Sequence, residues 1–257
     1  MKSIRFLAFV WMAAVLLTLP GGVLAQSVQP AIVEYGAKAD GKFSVTNNTA
    51  STMTVVLEPK SFSISPDGHG TFRTLDPGIK VELSTMSVRL QPMQTYTVFY
   101  KASAERAPAW FTIYSTFIPV RKGESLNVRF QLPHTVYLYQ KTALAEGDVQ
   151  VMAVKYSPDK HLLECDLKNT GDNLGRAQDV QIAPVHGSPV LMAGFPLLPG
   201  AERHLAIPWE GDAPPTALRI RFPHFTLKPT IALDTAHGKR DVRPDGLPAA
   251  EEHAVGQ

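Results

Sequence analysis

Phe43 and Val45 alternate with Lys42, Ser44 and Thr46, a period of two that predicts a half-buried strand. The polar run Asn47-Asn48-Thr49 ends it as a turn. Met53 to Leu57 is β-branched and apolar, and the turn signals Ser65-Pro66-Asp67-Gly68 and Asp76-Pro77-Gly78 follow. Val81 and Leu83 alternate with Lys80, Glu82 and Ser84. Val88 and Leu90 lead to Pro92, and Thr95 to Tyr100 is rich in Thr, Val and aromatics, a composition that favours a pleated strand. Trp110 to Val120 is another such stretch, with Pro119 near its end. Then Leu126, Val128, Phe130 and Leu132 alternate with Asn127, Arg129 and Gln131. Pro133 and His134 interrupt the pattern, and Val136 to Tyr139 resumes it.

The second half has the same character. Leu163, Cys165 and Leu167 alternate with Glu164, Asp166 and Lys168, and Asn169-Thr170-Gly171-Asp172 is a turn. Val180 and Ile182 precede Pro184, and Leu205 and Ile207 follow the turn at Pro199-Gly200. Leu218, Ile220 and Phe222 alternate with Arg219 and Arg221, and Thr226 to Leu233 reads as a last strand interrupted by Pro229. Beyond the first 25 residues no comparable window carries a 3.6-residue period. The halves also echo each other: a strand ending in Asn47-Asn48, then Leu90-Gln91-Pro92, parallels a strand ending in Asn169-Thr170, then Leu198-Pro199-Gly200. Pro92 and Pro199 are 107 residues apart, close to the ~100 residues of an immunoglobulin-like sandwich. The predicted fold is therefore all-β, with two tandem immunoglobulin-like β-sandwiches. The boundaries read 26–132 for the first domain and 133–234 for the second, with 235–257 a polar, disordered tail.

The first 25 residues carry Lys2 and Arg5, an apolar run from Phe6 to Leu17, the breakers Pro20-Gly21-Gly22, and Val23-Leu24-Ala25 before Gln26. This is the layout of a cleaved secretory signal peptide, Met1 to Ala25. A soluble, exported protein is expected, with no membrane insertion after cleavage. The whole chain counts 25 Lys and Arg against 23 Asp and Glu; without Lys2 and Arg5 the two are equal. A neutral chain does not suit a nucleic-acid binder that neutralises many phosphates. The single Cys excludes a disulfide framework and a Cys-rich zinc site. The eight His are scattered, and there is no Gly-x-Ser-x-Gly elbow or phosphate-binding glycine loop. These features predict a protein without enzymatic activity, cofactor or metal.

In order, these motifs resemble those of the periplasmic chaperones of pilus assembly, a family with two immunoglobulin-like domains behind a signal peptide. The motifs are Phe43-Ser-Val-Thr-Asn-Asn-Thr49, Leu90-Gln-Pro92 before Tyr96-Thr-Val-Phe-Tyr100, Trp110 to Pro119, Leu126 to Leu132, and Val136-Tyr-Leu-Tyr139. The resemblance implies a chaperone that binds a pilin-like subunit by donor-strand complementation and delivers it to an outer-membrane usher. It implies that Leu126, Val128, Phe130 and Leu132 bind the client as an added strand. From the alternation alone, the same residues read as an ordinary last strand facing its own core. The family normally anchors the client carboxylate with an Arg near the start of the first domain and a Lys on its last strand. Here no Arg occurs between Ser27 and Phe72, and the Lys position falls near Thr135. Arg121, Lys122, Arg129 and His134 are the candidate replacements; the alternative is a solvated linker face for the first three and a structural role for His134. Trp110, Phe111, Ile113 and Phe117 read as core, and Cys165 as a small buried hydrophobe. The competing functional reading is an exported immunoglobulin-like binding or surface-structural module with no chaperone role.

Overall fold

The computed structural model describes residues 26–120, 129–139 and 143–234. The predicted signal peptide, Arg121, Lys122, Leu126, Val128 and the tail 235–257 lie outside the described residues. The described chain is all-β and forms two sandwiches, as the alternating pattern predicts. Among the described residues no helix is long and apolar enough to cross a membrane.

The first sandwich contains β1 (Ser27–Gln29), β2 (Ile32–Tyr35), β3 (Lys38–Thr46), β4 (Met53–Ile64), β5 (Gly70–Thr74), β6 (Ile79–Leu83), β7 (Ser87–Leu90), β8 (Thr95–Ala104), β9 (Ala109–Pro119) and β10 (Phe130–Leu138). One sheet runs β1-β3-β8-β6; the other runs β2-β10-β9-β4-β5, with β7 also on β4. The inward positions are the ones that the period of two selects. Phe43, Val45, Val55, Leu57, Val98, Phe111, Ile113, Phe117, Val136 and Leu138 are almost wholly buried in one cluster. Trp110 departs from expectation, because its even position places it on the opposite face from Phe111, Ile113 and Phe117. It is partly buried, and its indole N–H donates to the Phe62 carbonyl at 2.8 Å. There Phe62, Phe72, Tyr114 and Tyr137 form edge-to-face and tilted ring contacts.

The second sandwich contains β11 (Val149–Ser157), β12 (Leu162–Asn169), β13 (Gly175–Arg176), β14 (Asp179–Ala183), β15 (Val190–Ala193), β16 (Pro196–Leu197), β17 (Glu202–Pro208), β18 (Ala217–Arg221), β19 (Thr226–Leu227) and β20 (Ala232–Leu233). Its sheets are β17-β12-β11-β20 and β15-β14-β18-β19, with β13 paired to β16. Leu163, Cys165 and Leu167 are fully buried in a second, separate core. Burial pushes the Cys165 thiol up to about 12, with Asp166 adding to the effect, so the group stays an inert thiol. The expected last strand Thr226–Leu233 is instead two short ones on either side of Pro229. β19 pairs with β18 and β20 with β11, so the chain changes sheets where proline withholds a ladder donor.

The compact units divide at Lys141–Thr142, with residues 63–71 grouped with the second. The expected boundary at 132–133 gives way, because β10 runs unbroken through Pro133 against β9. Neighbouring hydrogen bonds give the reason. The N–H groups of Thr135 and Tyr139 donate to Ala31 and Tyr35, on the β2 side. Successive residues of a strand direct their backbone groups to alternate sides. Pro133 shares the parity of Thr135, so its ring nitrogen faces away from β9 and costs that ladder no bond.

The faint sequence repeat is structural. Asn47 and Asn169 each end a strand and are fully buried. The Asn47 amide donates to the carbonyls of Ser51, Gln91 and Leu90 at 2.8, 2.9 and 3.4 Å. Its carbonyl oxygen accepts from the Thr49 N–H and hydroxyl at 3.1 and 2.7 Å. Asn169 donates to Asn173 and Leu197 at 2.7 and 3.3 Å and accepts from the Gly171 N–H at 3.0 Å. The backbone N–H groups of Asn47 and Asn169 donate to Gln94 and Ala201, both at 2.9 Å. Leu90 and Leu197, and Gln94 and Ala201, carry the same offset of 107 residues as Pro92 and Pro199.

Replacing a buried, fully satisfied amide strands several carbonyls. Asn47→Ala is expected to destabilise the first unit by about 2–4 kcal/mol, and Asn169→Ala the second by a similar amount. Two-transition denaturant unfolding checks this: each substitution should lower its own midpoint and leave the other in place.

Candidate functional site

The strand carrying the predicted client-binding row is paired on two sides over only part of its length. β9 accompanies β10 from Phe130 to Leu138. β2 lies parallel to β10 only from Thr135 to Leu138. Upstream, the chain belongs to the other sheet, where β1 pairs with β3. Among the described residues, the edge of β10 from Phe130 to His134 therefore has no strand on its second side. The N-terminal segment's change of sheet creates this open edge.

Along the core-facing side of β10 the row Phe130, Leu132, His134, Val136, Leu138 rises out of the interior. Leu138, Val136 and His134 are fully buried, Leu132 is partly buried against the core, and Phe130 is 43% exposed. Phe130 sits opposite Phe117 and Leu132 opposite Ser115. The two predicted client-binding residues that are described are thus brought together on the open stretch. The row is both of the things the sequence left open: an inward-facing last strand at one end and an exposed apolar edge at the other. Fully covering a side chain such as Phe contributes ~1.5–3 kcal/mol, so part of that gain is still available here to a partner. Leu126 and Val128, the other two members, lie outside the described residues.

The proposed cationic residues separate. Arg129 is exposed at the start of the open edge. His134 is fully buried. Its Nδ1 lies 2.7 Å from the Pro30 carbonyl, an acceptor, so Nδ1 carries the proton. Its Nε2, 3.0 Å from the Tyr100 hydroxyl, then accepts from it. The ring stacks on Phe43 with centroids 4.4 Å apart, and the Tyr35 and Tyr100 hydroxyls lie 3.3 Å apart. Burial holds the His134 pKa below its ordinary value, partly offset by the bond to Pro30. Burial, with help from Tyr35, pushes the Tyr100 phenol up. A neutral imidazole with both nitrogens engaged does not present a positive charge to a carboxylate. The expectation of a cationic contact at His134 therefore gives way to a structural one: the ring ties β10 to the point where the chain changes sheets. Sequence reasoning missed Pro30, Tyr35, Phe43 and Tyr100 around this ring. Their separations from His134 run from 34 residues for Tyr100 to 104 for Pro30, and no local pattern signals such contacts. Among the described residues no group of three His, Cys, Asp or Glu is placed to hold a metal ion.

The two best-defined histidines link stability to pH in opposite directions. The folded pKa of His134 lies below the ordinary 6.5, so on acidification the unfolded chain takes up the proton first. Stability of the first unit is expected to be fully present above about pH 6.5 and to fall as pH drops below it. In the second unit the Asp166 carboxylate, 2.6 Å from His204 Nδ1, raises the pKa of His204. That contribution is present below about pH 6.5 and is lost as pH rises through the higher folded value. Its size is modest, because the His204 side chain is about a third exposed. Denaturant midpoints of the two transitions, measured from pH 5 to pH 8, should move in opposite directions. His134→Asn should flatten the first trend and His204→Asn the second.

No family model matches the sequence, and no curated protein matches it. Solved structures do. A chain in the Salmonella enterica SafA pilin–SafB chaperone complex superposes with a TM-score of 0.52 at 12% identity, covering 81% of this chain and 97% of that one. The E. coli chaperone DraB aligns at 11% identity and a TM-score of 0.48, over 80% of this chain and 98% of its own. A chain in the Acinetobacter baumannii CsuC–CsuE chaperone–tip subunit complex aligns at 12% identity and a TM-score of 0.43, over 82% and 99%. The fold found here, two immunoglobulin-like sandwiches, is similar to that of the chain in the pilin–chaperone complex.

Proposed function

We propose that this protein is a periplasmic chaperone for pilus or fimbrial subunits. It binds its client through the open edge of β10 and the row Leu126, Val128, Phe130, Leu132. The observation that carries this reading is the half-covered β10, whose apolar row emerges from the core beside an unpaired backbone edge. Such an edge is an aggregation hazard in a free protein, and it is the feature that strand addition uses. Main-chain hydrogen bonds supply affinity, and alternate side chains fill pockets in the partner. The client would be an incomplete sandwich with a hydrophobic groove, held folded until an outer-membrane usher takes it and another subunit's strand replaces β10. Strand exchange requires no nucleotide. Arg129 is the described cation placed at this edge, and Arg121 and Lys122 precede it in sequence; together they are the proposed contacts for a client carboxylate. The fold likeness to chaperones supports a binding role and no catalytic one.

Co-expression with an exported pilin-like subunit and recovery of a periplasmic complex tests the reading. Val128→Asp with Phe130→Asp is expected to reduce the recovered complex by at least tenfold while leaving both unfolding transitions in place. An undiminished complex with the doubly substituted protein refutes the docking edge.

A further inference from the structure

The outward backbone groups along the open edge of β10 are not equivalent. The odd-numbered residues of β10 direct their backbone groups toward β2, as the bonds from Thr135 to Ala31 and from Tyr139 to Tyr35 show. The register against β9 is continuous from Phe130 to Leu138, so this parity holds along the whole strand. On the open stretch Gln131 therefore offers both an N–H and a C=O outward. Pro133 offers only a C=O. One residue-pair further on, the same side of Thr135 is already taken by Ala31. His134 secures that takeover from inside, since its Nδ1–H donates to the carbonyl of Pro30 at 2.7 Å.

We propose that Pro133 sets the register of docking, so that a strand added along the open stretch of β10 ladders on Gln131 and stops at Pro133. This rests on the reading of β10 as a strand-docking edge and adds to it a residue that limits the docked length. The physical reason is a missing donor followed by an occupied one. A longer incoming strand finds no N–H to accept from at Pro133 and meets the protein's own chain at Ala31. The stop leaves the fold intact, because the proline nitrogen faces away from β9 and the residue is exposed. It also favours release, because the docked ladder cannot grow into the permanently paired half of the sheet.

A defined probe tests this without a natural client: an acetylated, amidated peptide of alternating Val and Thr, titrated onto the purified protein. Amide hydrogen exchange, read residue by residue along β10, is the measurement. The peptide should slow exchange at Gln131 and leave Thr135 and Tyr139 at the rates of the free protein. Pro133→Val restores an outward donor. It should add a peptide-dependent protected amide at position 133 and tighten binding about fivefold, the equivalent of one net hydrogen bond. Pro133→Val without added protection at 133 overturns the stop, as does no peptide protection at Gln131. Loss of the subunit complex on Val128→Asp and Phe130→Asp, combined with no effect of Pro133→Val, would sink the register stop alone. An undiminished subunit complex would sink the docking edge itself.

Discussion

The position at which the N-terminal segment changes sheets governs what the first unit can do. β1 belongs to the sheet of β3, and β2 to the sheet of β10. Had the segment stayed with β10, that strand would be covered along its length and the apolar row sealed. Had it stayed with β3, all of β10 would be exposed, with the attendant hazard of a long bare edge. The crossing near Pro30 divides β10 into a structural half and an open half. The bond from His134 to the Pro30 carbonyl fixes the crossing from the core side, where the ring is held between Phe43 and Tyr100. A buried histidine serves here because one neutral ring can donate to a backbone carbonyl and accept from a phenol together, leaving neither partner unsatisfied.

The asparagine turns do for the connections what His134 does for the edge. In each sandwich a buried amide at a strand end gathers the carbonyls of its own turn and of the Leu segment that precedes a distant strand. Buried backbone groups in irregular segments have to find partners, and one Asn satisfies several of them. The two sandwiches thus solve the same connection problem with the same residue, although their sequences otherwise share little more than a period of two.

Much of this fold was legible because a strand half-buried in a sandwich writes its orientation into alternate residues. Phe43 and Val45, Phe111 and Ile113, and Leu163, Cys165 and Leu167 all face inward as their spacing requires. The repeat was visible as paired Asn and Leu-Pro segments, though not its cause. Three features depart from the local pattern, which marks Pro133 as a break, Trp110 as core and 226–233 as one strand. Each depends on which side of a strand a group faces, or on which sheet the strand joins. Those are properties of the pairing partner, absent from the local pattern.

The candidate site divides the same way. Sequence by itself determined that apolar residues alternate over 126–132 and that no cationic anchor of the expected kind stands near Ala31 or Thr135. The period of two is a local consequence of backbone geometry, so it can be read one residue after another. Only the tertiary structure decided that β10 is covered from Thr135 onward and open before it, that Phe130 leaves the core while His134 is sealed within it, and that Pro133 turns its nitrogen to the open side. These depend on hydrogen bonds between β10 and a segment about a hundred residues away in sequence. Long-range pairing is set by the closing of the whole sandwich, and no local run of residues encodes it.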